Sequence, residues 1–360
     1  MTAHVFLSPH PAARRLVAQR LALAGHRNLI ACGIRAAIVI CIFLQLASGW
    51  ADLALAATPI GKPASAAVAI ATILDGDAIL LRDTSQFTLV EGTRLYADDI
   101  LETGANSRLV QLEFADGTRL SLGPATRVQV MPQLGAARAK TAPHAYLLQG
   151  SLKLRGGTKA ASPRGAVLAS PWLDLQALSA SAVLLVQANS TRLFAETGDI
   201  GLLSWRALAP PSATLKSGEF LSWSASAKPL LASRAPGEFV QSLPKAFLDN
   251  LPARAALFSA PERPLVLARV GEPAYALLQP WLDAEPALRK ANLPRWKPLA
   301  AKPEFRKALR ANMGAHPEWG PVLDPPRPKT PASGRPAGSG AVPEQPAAPP
   351  PIPTTPNKTP

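Results

Sequence analysis

The five histidines of this 360-residue chain, His4, His10, His26, His144 and His316, are the first place to look for chemistry. None is spaced from another histidine or a carboxylate so as to build a metal site or a catalytic pair. His316, followed by Pro317, reads as a helix-end or surface residue. Serines are plentiful, but the sequence has no Gly-x-Ser-x-Gly elbow, phosphate loop or Gly-rich dinucleotide fingerprint, and Gly156-Gly157 reads as a turn. Asp98, Asp99 and Glu102 could together ligate Ca²⁺, yet three carboxylates without a fixed loop spacing are more often a solvated face. Asn189-Ser190-Thr191 has the form of a glycosylation acceptor and reads as a polar turn. Trp172, Trp205 and Trp223 are candidate binding aromatics, because exposed indoles stack on sugars or fill partner pockets; packing in a core or on a sheet face is their commoner use. No catalytic residue, cofactor or metal ligand emerges, and the expectation is a protein that is not an enzyme.

The elements that would position these residues are bounded by composition. The net charge is +14, but Lys and Arg are scattered and no basic run interleaved with aromatics occurs, so nucleic acid is not an expected partner. The cysteines are Cys32 and Cys41, both in or beside an apolar stretch near the N-terminus, so residues beyond it carry no thiol. That suits an oxidising compartment and excludes disulfide staples and cysteine metal sites downstream.

Arg14, Arg15, Arg20, Arg27 and Arg35 precede an apolar run from Ala36 to Ala47, and small residues then lead to Ala54-Leu55-Ala56. A positive arm, an apolar core and a small-residue site in this order form a secretory signal, with cleavage expected between Ala56 and Ala57. The long arm leaves a second reading open, an uncleaved inner-membrane anchor through residues 36–56. Either way the expected location is the periplasm.

From about Val68 to Trp223 apolar residues alternate and Gly or Asp-Gly recurs at short intervals, which predicts many short strands. In Arg108 to Gly123, Val110, Leu112 and Phe114 share a face, as do Thr118, Leu120 and Leu122. A three-residue loop of Ala115, Asp116 and Gly117 sets Phe114 opposite Thr118 and keeps the faces matched, with Gly117 in the left-handed region. The same even phase continues through Thr126, Val128 and Val130 and then Leu148, Leu152 and Leu154. One buried face fed by successive strands predicts a mainly β fold, a stacked sheet, β-roll or solenoid. After residue 235 helical signals strengthen: Pro303, Phe305 and Leu309 predict a helix from Lys302 to Gly314, and Tyr275, Leu278 and Leu282 another that Pro280 kinks or splits. The 14 prolines between residues 321 and 360 predict a disordered or polyproline tail. The expected organisation is thus an arm and signal over 1–56, a β domain over 57–234, a short-helix appendage over 235–323 and a Pro-rich tail over 324–360.

Several pieces stand in a familiar order: Gly92 and Leu95 before Asp98-Asp99-Ile100, Thr103-Gly104, Ser107-Arg108, Phe114-x-Asp116-Gly117-Thr118, Leu122-Gly123-Pro124, Leu147-Leu148-x-Gly150 and Ser217-Gly218-Glu219. From about Leu89 to Ser222 the chain therefore resembles the FecR domain family. The resemblance implies that Asp99, Thr103, Gly104, Asp116, Gly117, Gly123, Pro124 and Gly150 are fold determinants. The family's founding members are inner-membrane signal transducers with a cytoplasmic anti-sigma domain and a periplasmic sensing region. Only about 35 residues precede the apolar run here, without the tryptophan-bearing helices of that domain, so a stand-alone periplasmic module is implied. The stretch bearing Trp281-Leu282, Phe305-Arg306 and His316-Pro317-Glu318-Trp319 resembles an extension found beside such domains.

The expected function is non-catalytic binding of envelope proteins. A peptidoglycan- or glycan-binding protein using exposed tryptophans, and an inner-membrane regulator of a sigma factor, are the alternatives.

Overall fold

The alternation seen along the chain becomes eighteen short strands among the described residues, in two facing layers. The computed structural model describes residues 66–135, 142–157, 167–176, 180–204, 212–258 and 265–325, all in a compact unit that begins at Pro63. Ala56, Ala57, Trp205, the apolar run and the tail beyond 325 lie outside the described residues.

In chain order the strands are β1 (Ala69–Asp75), β2 (Ala78–Arg82), β3 (Ser85–Thr88), β4 (Arg94–Leu95), β5 (Ile100–Thr103), β6 (Leu109–Phe114), β7 (Arg119–Leu122), β8 (Arg127–Val130) and β9 (Ala145–Arg155). They continue with β10 (Leu168–Ala169), β11 (Leu173–Gln176), β12 (Ser181–Gln187), β13 (Ser190–Thr197), β14 (Ile200–Ser204), β15 (Ser212–Leu215), β16 (Phe220–Ser224), β17 (Leu230–Ala232) and β18 (Arg269–Gly271). One layer runs β4-β1-β6-β7-β9-β12-β13-β16-β17. The other runs β18-β3-β2-β5-β8-β9-β10-β11-β14-β15. All pairings are antiparallel except β9 with β10. The chain adds to the two layers in turn and advances along the roll as it does so, the mainly β, stacked-strand architecture that the patterning predicts.

Strand β9 belongs to both layers. Ala145 to Gln149 pair with β8 and β10, and Gly150 to Arg155 with β12 and β7. The turn between layers sits at Gly150, whose φ of +105° is open to glycine, and a Cβ there would lie 2.5 Å from the Thr126 Cα. This break overturns one expectation. Leu152 and Leu154 face the inner core, but before the break Leu147 does so and Leu148 packs on the outside, because the kink shifts the inward phase by one residue.

The inner core joins both layers: Leu112, Leu120, Leu152, Leu184 and Leu193 meet Leu80, Leu101, Val128, Leu147 and Leu175. Each such side chain contributes about 1.5–3 kcal/mol on burial. The β6–β7 hairpin has the expected three-residue loop, with the Phe114 N–H donating to the Thr118 carbonyl at 2.9 Å and Gly117 at φ +87°.

The segment after β17 forms a strap over the β domain. Helix α1 (Gly237–Ser242) and the 3-10 turn Lys245–Phe247 bring Phe239 and Phe247 onto the outside of the first layer, against Leu109, Val183 and Phe220. The strap adds β18 to the edge of the second layer and then covers its outside with α2 (Tyr275–Leu282), α3 (Pro286–Trp296), α4 (Pro303–Ala311) and α5 (Gly320–Leu323). Trp281, Trp296, Phe305, Leu309 and Trp319 pack there with Leu81, Ile100 and Tyr146. Helix α4 starts at Pro303 as expected, but α2 continues through Pro280, which has no N–H to offer the Ala276 carbonyl.

Candidate interaction surfaces

The residues singled out by the family-like pattern are spent on the scaffold. Asp116 caps its own turn, its carboxylate accepting the Thr118 N–H at 2.9 Å and the Thr118 hydroxyl at 3.0 Å, and pairs with His144 Nε2 at 2.8 Å. Burial opposes ionisation of Asp116, but these partners outweigh it and hold the carboxyl below its usual range. The Thr103 hydroxyl donates to the Gly123 carbonyl at 2.7 Å and accepts the Thr126 N–H at 2.9 Å, and the Gly104 N–H reaches the Asp77 carbonyl at 2.8 Å. Pro124 accepts the Thr126 hydroxyl at 3.1 Å. Gly123 is required by the strap, because a Cβ there would meet Pro244 at 2.8 Å and collide with the Ser151 hydroxyl.

Asp98, Asp99 and Glu102 are not the solvated face that their spacing suggests: Asp99 and Glu102 are buried under the helical cover. Asp99 accepts Arg82 Nε at 2.9 Å and Nη2 at 2.7 Å together with the Tyr96 N–H at 2.8 Å. Burial pushes the Asp99 carboxyl up, against the pull of Arg82. Glu102 accepts the Trp281 indole N–H at 2.8 Å on one oxygen and Arg127 at 3.2 Å on the other. Gln129 and Asn292 exchange amide hydrogen bonds, Gln129 also reaches Asp98 at 3.0 Å, and Arg295 donates to the Asp98 carbonyl. These groups fix the register of the helices on β5 and β8.

The first layer holds the strap in the same way. Lys153 Nζ is buried between Glu196 (2.9 Å) and the Phe247 carbonyl (2.6 Å), and the Ser181 hydroxyl completes Glu196 at 2.6 Å. The Glu113 carboxylate receives the backbone N–H groups of Arg254 (2.7 Å) and Ala255 (3.0 Å), the Thr72 hydroxyl (2.8 Å) and the Gln111 amide (2.9 Å).

The candidate binding aromatics that the structure describes are not on the surface. Trp172 and Trp223 are buried in the inner core with ring centroids 5.8 Å apart, edge to face, so neither offers a platform to a glycan. Trp223 points inward in phase with Leu221 on β16, and Trp172 turns inward from the bend that precedes β11. His316 does stand at a helix end, before the turn Pro317–Trp319, but it is buried, with Nε2 2.7 Å from the Tyr275 hydroxyl. Asn189 lies in the β12–β13 turn as expected.

Exposed apolar side chains include Val240 and Leu248 on the strap, Val270 on β18, and two groups at the ends of the roll. Leu230 (64% exposed) and Leu231 (57%) lie on β17, which ends the first layer among the described residues. Val90, Leu257, Leu265 and Val266 lie at the opposite end of the roll, near β4 and β18. Sequence patterning does not single them out, because a leucine looks the same in a core strand and an edge strand. Among the described residues no helix is long and apolar enough to cross a membrane.

No family model matches the chain, and no curated protein matches it either. Among solved structures it is similar to two crystal structures, each of a provisionally assigned anti-sigma factor from Parabacteroides distasonis ATCC 8503. The identities are 11% and 12% and the TM-scores 0.32 and 0.30. Each match covers 39% of this chain and 62% of the other, so the chain spans less than two thirds of the length of these neighbours. Likeness at this level carries no argument about function.

Proposed function

We propose that this chain is a non-catalytic, exported FecR-like module that binds another protein of the cell envelope, with the free edge of β17 as its docking strand. The observation that carries this reading is the exposed pair Leu230 and Leu231 on a strand whose outer edge has no neighbour among the described residues. Such an edge presents a row of backbone donors and acceptors to an incoming strand, with apolar side chains to select it. Elsewhere the strap occupies the outer faces of both layers. His144, His316 and Glu102 are engaged in internal bonds.

The test is photo-crosslinking in cells from position 231, with position 290 on the helical cover as the control, followed by fractionation. A discrete envelope adduct from 231 and none from 290 is expected. A chain retained in the cytosol, or one giving equal adducts from both positions, overturns the reading.

A further inference from the structure

We propose that the end of the roll where the chain enters, built from Val90, Leu257, Leu265 and Val266, rests on an anionic lipid bilayer surface; this rests on the exported reading above. Val266 is 87% exposed and Leu257 70%, although Leu267, next to Val266, packs on the inner core. The ladder brings them together. Arg269 pairs with Phe87 and the Thr88 N–H donates to the Ala268 carbonyl at 3.0 Å. Continuing that antiparallel register sets Leu267 beside Leu89, both of which pack on the inner core, and Val266 beside Val90. Leu257 reaches the same place because the 3-10 turn Ala255–Phe258 sets the Phe258 ring against Gly92, and Arg94 points at the Phe258 carbonyl 3.5 Å away.

Three observations select a bilayer as the occupant. Arg94, Arg254 and Arg269 stand three or four residues along the chain from Val90, Leu257 and Val266, with Glu91 facing Arg254 at 3.9 Å, and cations beside a shallow apolar insertion suit phosphate headgroups. The Val68 N–H donates to the Leu95 carbonyl at 2.8 Å, so the chain enters beside Arg94. In the anchored reading of residues 36–56, the apolar run ending at Ala47 is separated from Ala66 by 18 residues, a tether of at most about 65 Å. Strand addition by a second copy fits less well, because β18 carries a register break between Arg269 and Gly271 and is followed by Pro273, devices that blunt an edge.

The experiment uses the full chain with vesicles of one part phosphatidylglycerol to three parts phosphatidylethanolamine, with and without bromine on the acyl chains. Val266→Trp and Leu257→Trp report on the tip, and Lys290→Trp on the exposed face of α3 is the control. All three positions are exposed, so folding is preserved, and wild-type emission is subtracted. Emission from the tip variants is expected to fall at least two-fold with brominated chains, and that from Lys290→Trp to stay unchanged. Three results overturn the proposal: no vesicle binding, binding with unquenched tip emission, or concentration-dependent shielding of the tip from acrylamide without vesicles, which marks a second copy as the occupant. A cytosolic chain in fractionation sinks the exported reading but leaves the vesicle result standing, so the two failures are distinguishable.

Discussion

Gln129 on β8 and Asn292 on α3, 163 positions apart, face each other and trade both amide hydrogen bonds, at 3.0 and 3.1 Å. The pair is buried where the helical cover meets the second layer, so it fixes how the cover sits rather than merely that it adheres. Replacing Asn292 with Leu leaves the Gln129 amide short of partners, and the expected cost is about 1–3 kcal/mol in urea unfolding. The double variant Gln129→Leu/Asn292→Leu is expected to recover part of that loss, since no half-satisfied amide remains. A single variant as mild as a surface substitution, within about 0.5 kcal/mol of wild type, removes the pair from this role.

Lys153 makes a second prediction. Its ammonium lies under the strap between Glu196 and the Phe247 carbonyl. Lys153→Ala strips both of their partner and opens a gap, with an expected loss of about 2–3 kcal/mol, toward the lower end for a buried pair because Glu196 is partly exposed. Lys153→Met fills the space and should cost less. The strap should loosen first, so trypsin cleavage after Lys245 is expected to quicken in Lys153→Ala before the roll unfolds. Cleavage only on global unfolding sinks the prediction.

The architecture was legible because alternation has one cause, a face turned toward a shared core, and the residues from Val110 to Val130 obey it without interruption. The phase error at Leu148 arose where a glycine lets the strand change layers, an event that leaves no mark in a hydrophobic pattern. The burial of Asp99 and Glu102 escapes local patterning for a related reason. Trp281, which donates to Glu102, and Arg295, which donates to the Asp98 carbonyl, lie far along the chain, and nothing local shows that a later helix will bury a carboxylate. Trp172 and Trp223 could be placed inside only by a register that the intervening turns decide. Binding surfaces were least legible, because exposure at Leu231 or Val266 is a property of where a layer ends.

Gly150 and Gly218 separate two uses of the same residue. Both have positive φ, +105° and +86°, but a Cβ at 218 meets nothing within 4 Å, whereas at 150 it strikes Thr126 backbone. Gly218→Ala should therefore lose only the backbone preference, about 1 kcal/mol, and melt a few degrees lower. Gly150→Ala should lose more than about 3 kcal/mol, because the β9 crossing must open. Equal melting temperatures for the two variants rule out a steric role for Gly150.

Glu113 gives a prediction in pH. Burial opposes its ionisation, but the Arg254 and Ala255 amides, the Thr72 hydroxyl and the Gln111 side chain outweigh burial and hold the carboxyl below its usual value. A carboxyl whose folded pKa lies below its unfolded one contributes stability at pH above the unfolded value, about 4.3 for Glu, and that contribution is lost as pH falls through the folded pKa. Asp116 and Glu196 shift in the same direction and Asp99 in the opposite one, so the acid response of the whole chain mixes opposing contributions. The part belonging to Glu113 can be isolated with Glu113→Gln, which cannot ionise. The gap in urea midpoint between wild type and Glu113→Gln should be constant from pH 7 to about 5 and shrink toward pH 3, with earlier exchange of the Arg254 and Ala255 amides in the variant at neutral pH. A gap that stays constant across this range means that the ionised carboxylate is not what pins the strap to β6.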